Sequence, residues 1–153
     1  MGKQSAGIVL YRKTEGKLQV FLVHPGGPFF KNKDDGGWSI PKGEFLDDED
    51  PQEAAKREFE EETGQAISGK FILLNPIIQK GGKKVHAWAV AGDIDHLSIK
   101  SNHFEMEWPP RSGKQQSFAE VDRADWFDME IAKVKINPAQ AELIEELVSL
   151  PGL

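Results

Sequence analysis

Asp50-Pro51 at one end and Gly64 at the other commit the residues between them to a single short helix. Asp50 is a side chain that caps a helix N-terminus, and proline is preorganised for the first helical position. Glu53 stands where a capping-box partner belongs, and Gly64 supplies a left-handed stop. The spacing predicts a helix over 51–63 with Ala54, Ala55 and Phe59 turned to a core. A helix bounded so sharply has to pack on something, and the flanking segments indicate a sheet.

Residues 5–12 and 18–24 are rich in β-branched and apolar side chains, and the turn signal Glu15-Gly16 between them makes a hairpin. The stretch from His24 to Glu44 carries so much Gly, Pro and Asp that it reads as a long loop until Trp38, the kind of loop that often carries function. Residues 70–79 and 84–92 read as two further strands joined by Gly81-Gly82, with Pro76 marking a bulge or an edge. Residues 102–113 read as a second long loop, followed by a short strand around Trp126. Asn137 and Pro138 then open a final helix to about Ser149, with Ala141, Ile144, Leu147 and Val148 as its core stripe. Strands and helices mixed in this order predict an α/β fold, helices packed on a mixed sheet, in one domain over 1–153.

The net charge of −6 argues against a stable nucleic-acid partner, because such proteins gather positive charge against phosphate. It leaves room for a small phosphorylated ligand held by local lysines or by metal ions. With no cysteine, thiolate metal sites, disulfides and cysteine nucleophiles drop out. No apolar run approaches the roughly 20 residues that span a bilayer, so no membrane association is expected and a cytosolic location is.

Along 49–64 the carboxylates of Glu49, Asp50, Glu53, Glu58, Glu60, Glu61 and Glu62 face only Lys56 and Arg57 as cations. Glu58, Glu61 and Glu62 stand at i, i+3 and i+4, on one helical face and toward the negative end of the dipole. Each unfavourable contribution is ~0.3–1 kcal/mol. Two readings stand. One is a solvated acidic face. The other is a site for a divalent cation, for which clustered carboxylates are hard donors suited to Mg²⁺, with Mn²⁺ as a substitute.

Gly43, Glu49 and the run Arg57-Glu58-Phe59-Glu60-Glu61-Glu62-Thr63-Gly64 match each fixed residue of the Nudix box and its first apolar position. At average residue frequencies the chance of such a coincidence is on the order of one in a million. The chain thus resembles the Nudix hydrolases; Gln65 departs from the usual aliphatic residue, which affects packing after the helix. The resemblance implies the family's α/β/α sandwich and cleavage of a diphosphate linkage. It implies that Glu58, Glu61 and Glu62 ligate divalent ions together with a backbone carbonyl near Gly43, that Arg57 orients the glutamates, and that Glu49 acts from the loop end. Glu120, six residues before Trp126, matches the place where some branches carry a catalytic glutamate outside the box. Glu120 ranks first as general base and Glu58 second. Gly43 also has its own reason, since backbone approaches metal or phosphate most closely without a side chain.

Trp38-Ser39-Ile40-Pro41-Lys42-Gly43 resembles the approach to the box in enzymes acting on dinucleoside polyphosphates, which makes Trp38 and Lys42 candidate substrate contacts. Lys80, Lys83 and Lys84 form the most basic spot, suited to extra phosphates or simply to solubility. Phe104 and Trp108, with Phe29 and Phe30, are loop aromatics able either to stack on a base or to anchor their loops. None of His24, His86, His96 and His103 stands at metal-ligand spacing, and none is assigned chemistry.

The expected substrate is therefore a dinucleoside polyphosphate or nucleoside triphosphate. ADP-ribose, a nucleotide sugar or an inositol pyrophosphate is the alternative, and a non-catalytic nucleotide-binding module is a further one. Against the last stands the retention of every box carboxylate; against the cysteine-dependent isomerase branch of the superfamily stands the absence of cysteine.

Overall fold

A computed structural model describes residues 3–79 and 81–152. The chain runs through β1 (Gln4–Thr14), β2 (Lys17–Pro25), β3 (Lys42–Glu44), α1 (Pro51–Thr63), β4 (Ile72–Leu73), β5 (Ile77–Gln79) and β6 (Lys83–Ala91). It continues through β7 (His103–Glu107), β8 (Gln115–Ala119), β9 (Val121–Asp128), α2 (Met129–Lys135), a 3-10 turn at Pro138–Gln140, and α3 (Ala141–Ser149).

β1 organises the main sheet. It pairs in parallel with β6 from Gln4↔Lys84 to Tyr11↔Ala91. On its other edge it pairs antiparallel first with β3 (Ser5↔Glu44) and then with β2 (Tyr11↔Val20 to Thr14↔Lys17). β9 extends the sheet beyond β2, and β4 and β5 line the far side of β6. The sheet is mixed, as expected. Glu15 (φ 52°) and Gly16 (φ 79°) close the first hairpin with the left-handed backbone that a tight two-residue turn requires.

Alternation along β1 divides the core between two faces. Ala6, Ile8 and Leu10 join Phe21, Trp88, Val90 and Trp126 under Ala54, Ala55 and Phe59 of α1. Val9 joins Val20, Leu22, Val85 and Ala87 against Ala132 of α2 and Leu143, Ile144 and Leu147 of α3. Phe21 sits 6.1 Å from Phe59 and 5.5 Å from Trp126, so α1 is seated on the sheet by aromatic contacts. Truncating Phe59 to alanine costs about 3–5 kcal/mol.

The helix over 51–63 forms as its ends dictate: the Asp50 carboxylate accepts from the Glu53 amide at 3.0 Å, and Gly64 (φ 76°) donates its N–H to Glu60. Four readings need correction. Residues 102–113 are not a long loop; β7 and β8 form a separate two-stranded sheet, with Phe104 opposite Phe118. The alternation of half-buried Phe104 and Met106 with exposed His103, Glu105 and Glu107 is a strand pattern, and the prolines fall in the turn. Residues 70–79 break into β4 and β5, since Pro76 has no N–H for the ladder. α2 was not foreseen; it is short, and its cap residue Asp128 makes no side-chain bond. In the last helix Leu143 takes a core position, whereas Val148 is 49% exposed. Among the described residues no helix is long and apolar enough to cross a membrane.

Candidate active site

One pocket gathers residues from six separate segments: Pro25 and Gly26 at the end of β2, Lys42, Gly43 and Glu44 on β3, Glu58 and Glu62 on α1, Lys83 on β6, Phe104 on β7, and Glu120 between β8 and β9. The close seating of β3 explains how they meet. A Cβ at Gly7 would lie 2.7 Å from both Lys42 Cβ and the Pro41 carbonyl, so only glycine on β1 lets the 41–43 segment lie this close. A Cβ at Gly43 would fall on the Glu58 carboxylate, so the same economy brings α1 onto β3.

The approach to β3 is fastened from the far end of the chain. Gln140, 1% exposed, accepts from the Ile40 amide at 3.0 Å and donates to Ser39 Oγ at 3.0 Å. Sequence reasoning missed Gln140, and only its place behind the Asn137-Pro138 helix start hinted that it would be buried. Glu120 is held through its backbone: its N–H donates to the Asn102 carbonyl at 2.8 Å, and its carbonyl accepts from Gly26 at 2.9 Å. Gly26 was also missed; a Cβ there would run into the Ala119 carbonyl.

Arg57 connects the acidic groups. Its Nε and Nη2 bind both oxygens of Glu49, while Nη1 reaches Glu58 Oε1 at 2.8 Å and Glu61 Oε2 at 3.2 Å. The Arg57 hydrogen bonds hold the Glu49 carboxyl below the usual range. The pocket carboxyls go the other way. Burial pushes Glu62 well up, with the neighbouring Glu58 adding to it. Burial raises Glu58 against the pull of Arg57, and burial together with Glu61 raises Glu120. Burial, then Lys83, lowers the Lys42 ammonium. Desolvated carboxyls pushed up against one another favour an added cation.

The sequence-predicted residues are distributed as follows. Glu58, Glu62, Gly43, Glu120, Lys42, Lys83 and Phe104 line the pocket together. Glu61 and Arg57 lie on its outer side, facing Glu53, Lys56, Glu60 and Asn102, with Glu49 tied to Arg57. Trp38 has to be corrected: it is 5% exposed, its Nε1 donates to Asp34, and its ring packs on Phe127 at 4.9 Å, so it is a core residue without a free face. Trp108 meets Phe29 edge-on at 5.5 Å outside the pocket lining, and exposed Lys84 is also outside it. Lys80 lies outside the described residues.

Among the described residues no three acidic or imidazole side chains stand close enough to grip an ion in the arrangement seen. The donors nevertheless fit Mg²⁺ in chemistry: they are carboxylate oxygens, that of Glu58 lying against the Gly43 backbone, and Arg57 draws Glu58 and Glu61 aside through bonds a competing cation can replace.

A family model described as NUDIX domain matches residues 1–147. Among curated proteins none matches. Among solved structures, the Ap4A hydrolase of C. elegans in a binary complex is similar with a TM-score of 0.65 at 22% identity, over 96% of this chain and 96% of that one. The NUDIX domain of Shewanella oneidensis NrtR, complexed with ADP ribose, is similar with a TM-score of 0.67 at 17% identity, over 97% and 88% of the two chains. A mutT/nudix family protein from Listeria innocua is similar at 0.62 and 17% identity, over 96% and 92%. At these identities the likeness is one of fold.

Proposed function

The chain belongs to the Nudix family of hydrolases acting on acid anhydrides, and from that premise we propose that it is a Mg²⁺-dependent enzyme cutting a diphosphate linkage in a nucleoside polyphosphate, either a dinucleoside polyphosphate or a nucleoside triphosphate. The observation that supports this most is the meeting in one pocket of three carboxyls with raised pKa, Glu58, Glu62 and Glu120, with two lysines and an aromatic ring. Carboxyls serve hydrolysis, ammonium groups serve phosphate, and a ring serves a base.

In this reading Lys42 and Lys83 receive the phosphate chain, and Phe104 lies against the base. Glu58, Glu61, Glu62 and the Gly43 carbonyl would hold Mg²⁺, for which Mn²⁺ could substitute. Such an ion would supply neutralisation of charge on the phosphate oxygens. Glu120 takes a proton from water as the water oxygen attacks phosphorus; the anhydride P–O bond breaks and the leaving phosphate carries off its electron pair. Its raised pKa brings Glu120 closer to neutral pH, where a base gains driving force for accepting that proton. Arg57 keeps Glu49 and the box glutamates oriented.

The test is release of phosphate or nucleotide from diadenosine tetraphosphate, nucleoside triphosphates, ADP-ribose and an inositol pyrophosphate, with and without Mg²⁺. Metal-dependent cleavage of either of the first two supports the proposal. Folded protein that turns over none of the panel counts against it, and preference for ADP-ribose moves the substrate.

A further inference from the structure

We infer that His24 is a positioning residue for Glu120: carrying a proton on both ring nitrogens, it pins the β-bulge that turns Glu120 into the pocket and ties the 26–37 loop to the same point. This rests on the proposed role of Glu120, but the charge state and the bulge do not.

His24 is 0% exposed, and the reaction proposed above makes no use of it. Its Nδ1 lies 2.9 Å from Asp122 Oδ1 and its Nε2 lies 2.6 Å from the Lys33 carbonyl oxygen. A carbonyl only accepts, so Nε2 must donate; a carboxylate only accepts, so Nδ1 must donate as well. A neutral imidazole can satisfy one of these contacts and sets a lone pair against the other. The ring that satisfies both is the imidazolium, and a buried cation is tolerated where it is paired and hydrogen-bonded in this way.

The surroundings agree. On the loop side are the Lys33 carbonyl and the Trp38 ring, edge-on at 5.2 Å. On the β9 side is Asp122, whose carboxylate the Arg123 guanidinium also approaches at 3.7 Å while lying over Trp38. The Lys33 ammonium turns to the Phe30 ring at 5.2 Å.

The location gives the charge its consequence. β2 and β9 pair as His24↔Arg123 and then as Pro25↔Val121, which leaves Asp122 as the extra residue of a bulge. Bulges bend a strand and re-aim its side chains. Here the extra residue is the one whose carboxylate His24 holds. Immediately beyond, Gly26 donates to the Glu120 carbonyl at 2.9 Å, and Glu120 lines the pocket with Glu58 and Glu62. Releasing Asp122 frees the bend on which the direction of Glu120 depends.

The experiment uses the full chain: ring ¹⁵N NMR of His24 at pH 7, amide hydrogen exchange and steady-state kinetics, in wild type, Asp122→Asn and His24→Gln. The wild type should show two protonated His24 nitrogens. In Asp122→Asn, loss of a charge-assisted bond should speed Gly26 amide exchange by about ten- to a hundredfold and lower kcat by a similar factor at unchanged KM, while Val9 and Val20 in the core keep their protection. An unprotonated His24 nitrogen in the wild type overturns the inference. So does unchanged Gly26 exchange, a uniform loss of protection across the core, or faster Gly26 exchange with wild-type kcat. If His24→Gln does not fold, the surface substitution Asp122→Asn carries the test. If no substrate is turned over, the nitrogen and exchange measurements still decide the latch, so failure of the hydrolase reading is separately visible.

Discussion

The guanidinium of Arg57 grips both oxygens of Glu49, Nε to Oε2 at 2.8 Å and Nη2 to Oε1 at 3.0 Å, and its remaining nitrogen binds Glu58 and Glu61. One planar group thereby sets the loop end and the acidic face of α1 relative to each other. A lysine ammonium cannot reproduce the fork. Arg57→Lys is expected to lower kcat about 10–100-fold, the range seen when groups supporting metal ligands are removed. Because the pairs are part-exposed, the thermal midpoint should hardly move. Kinetics and a circular-dichroism melt on the same preparation check this, and wild-type kcat would contradict the orienting role.

The raised carboxyls of Glu58, Glu62 and Glu120 make a prediction about stability and pH. For each, the folded state binds its proton more tightly than the unfolded chain does. Metal-free protein therefore loses stability as pH rises from about 4.3, the unfolded glutamate value, through the raised folded values. Glu49 and Asp34 act oppositely, their contribution being lost on acidification below that range, and His86, lowered by burial, offsets part of the loss up to its unfolded value of about 6.5. The midpoint without metal should thus fall between mildly acidic and neutral pH, and Mg²⁺ should raise it most at the upper end. A metal-free midpoint that climbs steadily to neutral pH would argue against these shifts.

At Gly43 the constraint is steric. A methyl group there would occupy the space of the Glu58 carboxylate. Gly43→Ala should keep the fold, losing about 1–3 kcal/mol as overpacking does, and should lose nearly all activity. Full activity in that variant would show that Glu58 does not need this place beside β3.

Glu61 lines the outer side of α1, bound to Arg57, and the proposed site needs it as an ionised ligand. Glu61→Gln removes charge with little change in shape, so it should leave the melt unchanged and abolish most Mg²⁺-dependent turnover. Turnover close to wild type would remove Glu61 from the metal site.

The helix over 51–63 and the first hairpin were legible in sequence because local chemistry decides them: Asp50, Pro51 and Gly64 for one, Glu15-Gly16 for the other. Helical spacing alone grouped Glu58, Glu61 and Glu62 on one face; Glu58 and Glu62 do line the pocket together, whereas Glu61 pairs with Arg57 on its outer side. The meeting of Phe104, Lys83 and Glu120 with Glu58 and Glu62 did not follow from spacing, since it depends on sheet order and on a hairpin obscured by Pro109 and Pro110. Trp38 was misplaced because it was assigned from the likeness of its segment to the approach to the box, which does not say which way a side chain faces; the Val23↔Ser39 and Trp38↔Ile136 bridges carry it into the core. Gln140, Gly26 and His24 act through backbone contacts with residues distant in sequence, and no local pattern marks such partners.

The most direct test compares wild type and Glu62→Gln on the best-cleaved nucleoside polyphosphate across a Mg²⁺ titration. Glu62 lines the pocket, and its carboxyl is pushed well above the ordinary range by burial and Glu58. Wild type should show saturable Mg²⁺ activation, and the variant an intact fold with most of that activation gone. Equal turnover and equal Mg²⁺ response in the two proteins would contradict the proposed Mg²⁺ site.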